Sequence, residues 1–105
     1  ELATAVQYGI GVIVLLFNNN AYGNVLRDQK MGFGNRIIGS VLENPDFMLL
    51  AKAFGVAAHS VASPDALRPV LAKAMKTKAP MLIEVQVAQG SEATPWPFVH
   101  PKPVA

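Results

Sequence analysis

Three consecutive asparagines, Asn18, Asn19 and Asn20, stand directly behind the apolar run Val12–Phe17. Asparagine carries a neutral amide oxygen, and a hard cation such as Mg²⁺ takes oxygen ligands while it bridges to phosphate groups. A helix beginning just after the asparagines would add free N–H groups and the positive end of its dipole, a setting that suits an anion such as phosphate. If the apolar run is a strand of an open parallel sheet, the asparagines stand where ligands bind, beyond its carboxyl end. Residue types and order therefore suit a metal–diphosphate site. They also suit an ordinary turn, since Asn and Gly are common turn formers, and on local chemistry alone the turn is the stronger reading.

The elements around the asparagines decide whether such a site can be positioned. Glu1–Tyr8 has a helical pattern that Gly9 or Gly11 would stop. Val12–Phe17 is short, continuous and rich in β-branched residues, as in a strand covered on both faces. Tyr22–Lys30 is weakly helical, and the glycine-rich MGFGNRIIGS reads as a loop. Two further helices share one grammar of start signals: Asn44, Pro45 and Asp46 before the first, Ser63, Pro64 and Asp65 before the second. Their buried stripes are predicted as Phe47, Leu50, Ala51 and Phe54, with Gly55 as the stop, and as Leu67, Val70, Leu71 and Ala74. Pro69 should kink the second of them. Val56–Val61 is a strand candidate. MLIEVQV alternates Ile83, Val85 and Val87 with Glu84 and Gln86, which predicts a strand near an edge with one wetter face. Strands alternating with helices indicate an α/β fold, here a three-layer αβα arrangement on a mainly parallel sheet. The sheet is expected to be incomplete at the N-terminus.

Composition narrows the functional classes. The 105 residues are 51% hydrophobic and 15% charged, which fits one globular domain with a modest core. The net charge of +2 is too small to be a nucleic-acid footprint. With no cysteine in the chain, disulfides and thiolate metal sites are excluded. No apolar run approaches the ~18 residues of a membrane span. The chain opens in mid-pattern, without Met and without a capping residue, and is expected to be the C-terminal part of something longer. A targeting signal upstream therefore stays open. Residues 1–90 are assigned to one domain, and residues 91–105, with most of the late prolines, to an irregular tail.

The stretch ELATAVQYGIGVIVLLFNNNAYGNV resembles the second half of the thiamine-diphosphate motif, which opens with Gly-Asp-Gly and closes on Asn-Asn. The similarity continues through GFGNRIIGSVLENPDFMLLAKAFGVAAHSV and APMLIEVQV. It covers nearly the whole chain and points to the C-terminal diphosphate-binding domain of acetolactate synthase-like enzymes, the group of benzoylformate decarboxylase and pyruvate oxidase. The resemblance implies that thiamine diphosphate and Mg²⁺ are the cofactors and a 2-oxo acid the substrate. It places the Asn19 side-chain oxygen and the Ala21 carbonyl on Mg²⁺, Asn18 in the turn, backbone groups around Tyr22 and Gly23 near the diphosphate, and Val25 and Leu26 near substrate. The charged metal ligand, an Asp, would lie upstream of Glu1. The activating glutamate would come from another domain of a partner subunit, so this stretch would hold no catalytic residue of its own. A homo-oligomer, dimer or tetramer, in the cytoplasm is implied, with no nucleic-acid or membrane partner. Asp28 departs from the tryptophan usual in authentic acetohydroxyacid synthases and favours a less defined relative.

Other candidates have simpler uses. Gly32, Gly34 and Gly39 lack the strand and the spacing of a dinucleotide fingerprint. His59, among apolar neighbours, reads as a core or edge histidine, and His100 as a solvated tail residue. Trp96 and Phe98 read as anchors of the tail. Arg27, Lys30 and Arg36 need no role beyond solvation. The rival to an enzyme part is a non-catalytic α/β module that kept the fold for assembly or regulation. A Gly-Asp-Gly upstream of Glu1 would favour the enzyme, and a native start near Glu1 the module.

Overall fold

The computed structural model describes residues 1–91 and Val99. Its elements run α1 (Leu2–Gln7), β1 (Ile13–Asn18), α2 (Gly23–Met31), α3 (Phe47–Ala53), β2 (Ala57–Val61), α4 (Pro64–Lys76) and β3 (Met81–Gln86). The expectations for Trp96, Phe98, His100 and the tail fall outside the described residues, apart from Ser91 and Val99.

All three strands are parallel, in the order β1-β3-β2, with Ile13 opposite Met81 on one side of β3 and Ala57 opposite Met81 on the other. The chain thus leaves β1, passes over the place β3 will take to lay down β2, and returns through α4 to fill the gap. The α4 face holds Val61, Met81, Ile83 and Val85, against which Leu67, Val70, Leu71 and Ala74 pack. The opposite face holds Leu82 and Val56 with Ala51, and Val14, Ala58, Phe47, Met48 and Leu2 close around them. Helices therefore lie on both faces of the sheet. The two crossovers run in opposite directions on opposite faces, which is what a single handedness requires.

Local signals account for most boundaries. Ser63 caps α4, its Oγ accepting from the Ala66 N–H at 3.2 Å. The stripe Leu67, Val70, Leu71 and Ala74 lies against the core as its spacing predicts. Pro69 stands inside α4, and the helix continues through it to Lys76. Gly9 and Gly55 have φ of 60° and 72°, and each lets the next residue's N–H reach back to its helix: Ile10 to the Ala5 carbonyl and Val56 to the Ala51 carbonyl, both at 2.9 Å. This is the left-handed stop that glycine provides at low cost.

Three expectations are corrected. The cap of α3 is Asp46, whose Oδ1 accepts from the Leu49 N–H at 2.9 Å. Asn44 and Pro45 precede the helix, and Asn44 is used elsewhere. The buried stripe also differs: Phe47, Met48 and Ala51 face the sheet, while Leu50 and Phe54 stay partly open at 39% and 40%. The third correction concerns β3, which is the central strand and not near an edge. Five of its six residues are buried, Glu84 among them.

Since α4 packs on β3 and β2, the same face of β1 is open, and Phe17 is 67% exposed. Exposed apolar patches drive association. The chain produced by itself should self-associate in sedimentation equilibrium, and Phe17→Asp should shift it toward monomer. The cap assignment is tested by urea unfolding with amide exchange. Asp46→Ala should lower stability by about 1 kcal/mol, whereas Asn44→Ala should leave the α3 amides protected.

Candidate functional site: the asparagine turn and its buried carboxylate

The asparagines do follow a strand and do precede a helix. Asn18 is the last residue of β1, and its side chain lies on the α3 face with Glu84 and Gln86 of β3 and Ser60 of β2. These side chains gather toward the carboxyl ends of their strands and form one network. Asn18 Nδ2 donates to Glu84 Oε1 at 2.7 Å, and Ser60 Oγ donates to Glu84 Oε2 at 2.8 Å. Gln86 Nε2 in turn donates to Ser60 Oγ at 2.9 Å. The other end of the Asn18 amide accepts twice, from Asn44 Nδ2 at 2.7 Å and from the Asn20 backbone N–H at 3.0 Å.

Glu84 is only 8% exposed, and each of its carboxylate oxygens has a donor. Among the described residues no buried side-chain nitrogen or oxygen lacks a hydrogen-bond partner. That matters because a buried polar group stripped of its partner costs about 1–3 kcal/mol, more if charged.

The bond from the Asn20 N–H to Asn18 Oδ1 closes a tight turn with Asn20 at φ 52°. Asparagine tolerates this left-handed region better than most residues because its side chain is short and polar. A second local bond follows, from the Ala21 N–H to Asn19 Oδ1 at 3.1 Å. Beyond the turn, Ala21 bridges antiparallel to Val41. The bonds on either side run from the Tyr22 N–H to the Ser40 carbonyl, at 2.9 Å, and from the Leu42 N–H to the Asn20 carbonyl, at 2.8 Å. In such a non-hydrogen-bonded pair the bridge residue's own N–H and C=O point away from the partner strand. The Ala21 carbonyl therefore faces the side where its N–H meets Asn19 Oδ1, and the two predicted metal-binding oxygens share one side of the backbone.

Residues 40–42 are themselves held from α2. Ser40, fully buried, donates through Oγ to Gln29 Oε1 at 2.6 Å, and Gln29 Nε2 donates to the Ile38 carbonyl at 3.0 Å. The glycine-rich segment is thus a series of turns, with Gly34, Asn35 and Gly39 at positive φ, tied back to the helix it follows.

Helix α2 begins at Gly23 with Tyr22 at its N-cap and no side chain capping it. The first N–H groups of a helix have no intrahelical partner, and here Gly23, Asn24 and Val25 supply them. Tyr22 differs, because its N–H is engaged by Ser40. Ala21, Tyr22, Gly23, Asn24 and Val25 line a shallow concavity at this point. Val25 is half exposed, whereas Leu26 is buried and reaches a neighbouring concavity that it lines with Gly23, Arg27, Lys30, Met31 and Gly90. Asp28 lies on the outer side of α2, with Oδ1 3.8 Å from Arg27 Nε. His59 is on the α4 face opposite Ile83, away from the network. Among the described residues no three of His, Cys, Asp and Glu gather to hold a metal.

The residues that build this turn match a known pattern. The family model described as the C-terminal TPP-binding domain of thiamine pyrophosphate enzymes covers residues 1–85. The chain belongs to this family. The TPP-binding domain is 36% identical over 96 residues to a probable acetolactate synthase large subunit of Methanocaldococcus jannaschii, covering 90% of this chain and 16% of that protein. It is also 36% identical over 103 residues to the acetolactate synthase of Arthrospira platensis, covering 96% and 17%. Among solved structures, a thiamine diphosphate-dependent 4-hydroxybenzoylformate decarboxylase of Rhodococcus jostii aligns with TM-score 0.74 and 31% identity, over 83% of this chain and 16% of that one. Benzoylformate decarboxylase of Polynucleobacter necessarius shares the fold at TM-score 0.77 and 24% identity, over 89% and 18%. The chain spans about a sixth of the length of the curated relatives it matches.

Sequence reasoning missed Glu84, Ser60, Asn44 and Ser40. The available signal was Glu84 itself, a charge between Ile83 and Val85 in a strand that a parallel sheet would bury on both faces. Ser40→Ala should strand Gln29 Oε1 and cost about 1–3 kcal/mol. The same change should speed hydrogen exchange at the Tyr22 N–H, read by NMR, more than at amides of β3.

Proposed function

We propose that this TPP-binding domain holds the diphosphate and Mg²⁺ of thiamine diphosphate in an acetolactate synthase-like enzyme acting on 2-oxo acids. The observation that carries the reading is the asparagine turn at the carboxyl end of β1. It sets Asn19 Oδ1 and the Ala21 carbonyl on one side of the backbone, beside the uncapped start of α2. Oxygen donors of this kind fit a hard cation that bridges to phosphate, and the free N–H groups fit the phosphate itself.

Thiamine diphosphate, when bound, supplies the electron sink for decarboxylation and carboligation of the 2-oxo acid. This chain's own part is to bind and orient. Asn19 and Ala21 hold the metal, and Asn18 fixes the turn between them and the sheet. The Gly23, Asn24 and Val25 N–H groups meet the diphosphate, with Tyr22 giving its N–H to Ser40 and its carbonyl to the Leu26 N–H. Val25 lies on the open side, where substrate would approach, and Leu26 backs it from the core. The charged metal ligand and the activating glutamate belong to other parts of the enzyme, the latter to a partner subunit of a homo-oligomer in the cytoplasm.

The test is titration of thiamine diphosphate with Mg²⁺ into the full-length enzyme by calorimetry. Outer-shell changes at metal sites already cost ~10–100-fold, so loss of an oxygen bound directly to the metal, in Asn19→Ala, should weaken binding at least ~10-fold, about 1.4 kcal/mol. Asn19→Asp keeps an oxygen in place and should be milder. Asn20→Gly, which keeps the left-handed backbone, should have the smallest effect. The 105-residue chain by itself should bind weakly and show no turnover. Wild-type affinity in Asn19→Ala would defeat the reading.

A further inference from the structure

The central strand of a covered parallel sheet is an unfavourable place for a carboxylate, yet Glu84 sits there at 8% exposure. Its two partners explain how it is tolerated but not what it is for. The explanation lies in the symmetry of an amide. The two ends of an asparagine side chain are nearly the same size, one an acceptor and the other a double donor. Which end of Asn18 faces the loop must therefore be imposed from outside.

Resting on the reading of the asparagine turn given above, we infer that Glu84 is a positioning residue for the cofactor site and sets the polarity of the Asn18 amide. An ionised carboxylate only accepts. Facing Glu84 Oε1 at 2.7 Å, the Asn18 NH₂ group must point into the sheet, and Oδ1 must point out to the turn. There it accepts from the Asn20 N–H and from Asn44, which holds Asn20 at φ 52°. That backbone turn aims Asn19 and Ala21. If the Asn18 amide is reversed, its NH₂ meets the Asn20 N–H, donor against donor, and the turn loses the bond that closes it. Ser60 holds the far oxygen of Glu84 at 2.8 Å, so the carboxylate cannot swing away. Polarity thus passes from a residue of β3, through Asn18, to oxygens on the loop that Glu84 itself does not touch.

The experiment exchanges the polarity. In the full-length enzyme, Asn18→Asp places two acceptors face to face, and Glu84→Met removes the acceptor from the sheet side. The double variant Asn18→Asp with Glu84→Gln restores a donor opposite an acceptor at unchanged net charge, and the Asp oxygen can still receive the Asn20 N–H. Thiamine diphosphate affinity at fixed Mg²⁺ is read by calorimetry, and apoprotein unfolding by calorimetric scanning. Asn18→Asp and Glu84→Met should each weaken cofactor binding ~10–100-fold, the range found for outer-shell partners of metal sites. The double variant should recover most of the loss. Two results overturn the proposal: wild-type affinity in a cooperatively unfolding Glu84→Met protein, or a double variant no better than Asn18→Asp. The Gln variant is isosteric with the native residue and keeps the second comparison open if Met disrupts the sheet. A wild-type enzyme that binds no thiamine diphosphate overturns the underlying reading, and the proposal with it.

Discussion

One buried contact, from Asn18 Nδ2 to Glu84 Oε1 at 2.7 Å, ties the loop chemistry of this domain to its sheet. The closing of the turn and the left-handed Asn20 follow from which way that amide points. The sheet side follows from the need to satisfy a carboxylate buried on the central strand. Ser60 and Gln86 complete that satisfaction from β2 and from β3 itself. All three strands thus contribute to one polar cluster at their carboxyl ends. A fully satisfied buried network rigidifies what it holds, and what it holds here is the start of the asparagine turn.

A second layer of support comes from the other direction. Ser40 and Gln29 fasten residues 38–41 to α2, and residues 40–42 pin Asn20 and Tyr22 through the backbone. The turn is consequently held from β3 on one flank and from its own following helix on the other. This arrangement leaves the first N–H groups of α2 open while taking the N–H of Tyr22 out of use. Under the function proposed above, that distinction would have a purpose, because a diphosphate needs donors that no protein group already occupies.

The fold was largely legible in the sequence, and the particular elements show why. The apolar run before the asparagines, the Ser63-Pro64-Asp65 start and the glycine stops are local signals that local physics decides. Asn44-Pro45-Asp46 carries the same grammar as Ser63-Pro64-Asp65, yet there the cap is Asp46, while the Asn44 side chain donates to Asn18. Glu84 misled for a related reason. Alternation of Ile83, Glu84, Val85 and Gln86 is the signature of a half-wet strand, and nothing nearby in sequence shows that donors from residues 18 and 60 will arrive to bury the charge. The asparagine turn after β1 was therefore readable from the residues that form it, whereas the groups that hold it from β3 and α2 were not.

The contact between Asn18 and Glu84 joins residues 66 positions apart, and among the described residues β1 pairs only with β3, the last of the three strands in chain order. Contacts this remote must meet the entropy of closing a long loop before they return any stabilisation. Helix α4 and the pairing of β2 with β3 are closer in sequence and can form without β1. The asparagines precede β3 in the chain, and the Asn18–Glu84 contact can form only once that strand lies beside β1. Before then the turn lacks the bond that ties it to the sheet, so its geometry arrives together with the pairing of β1 and β3.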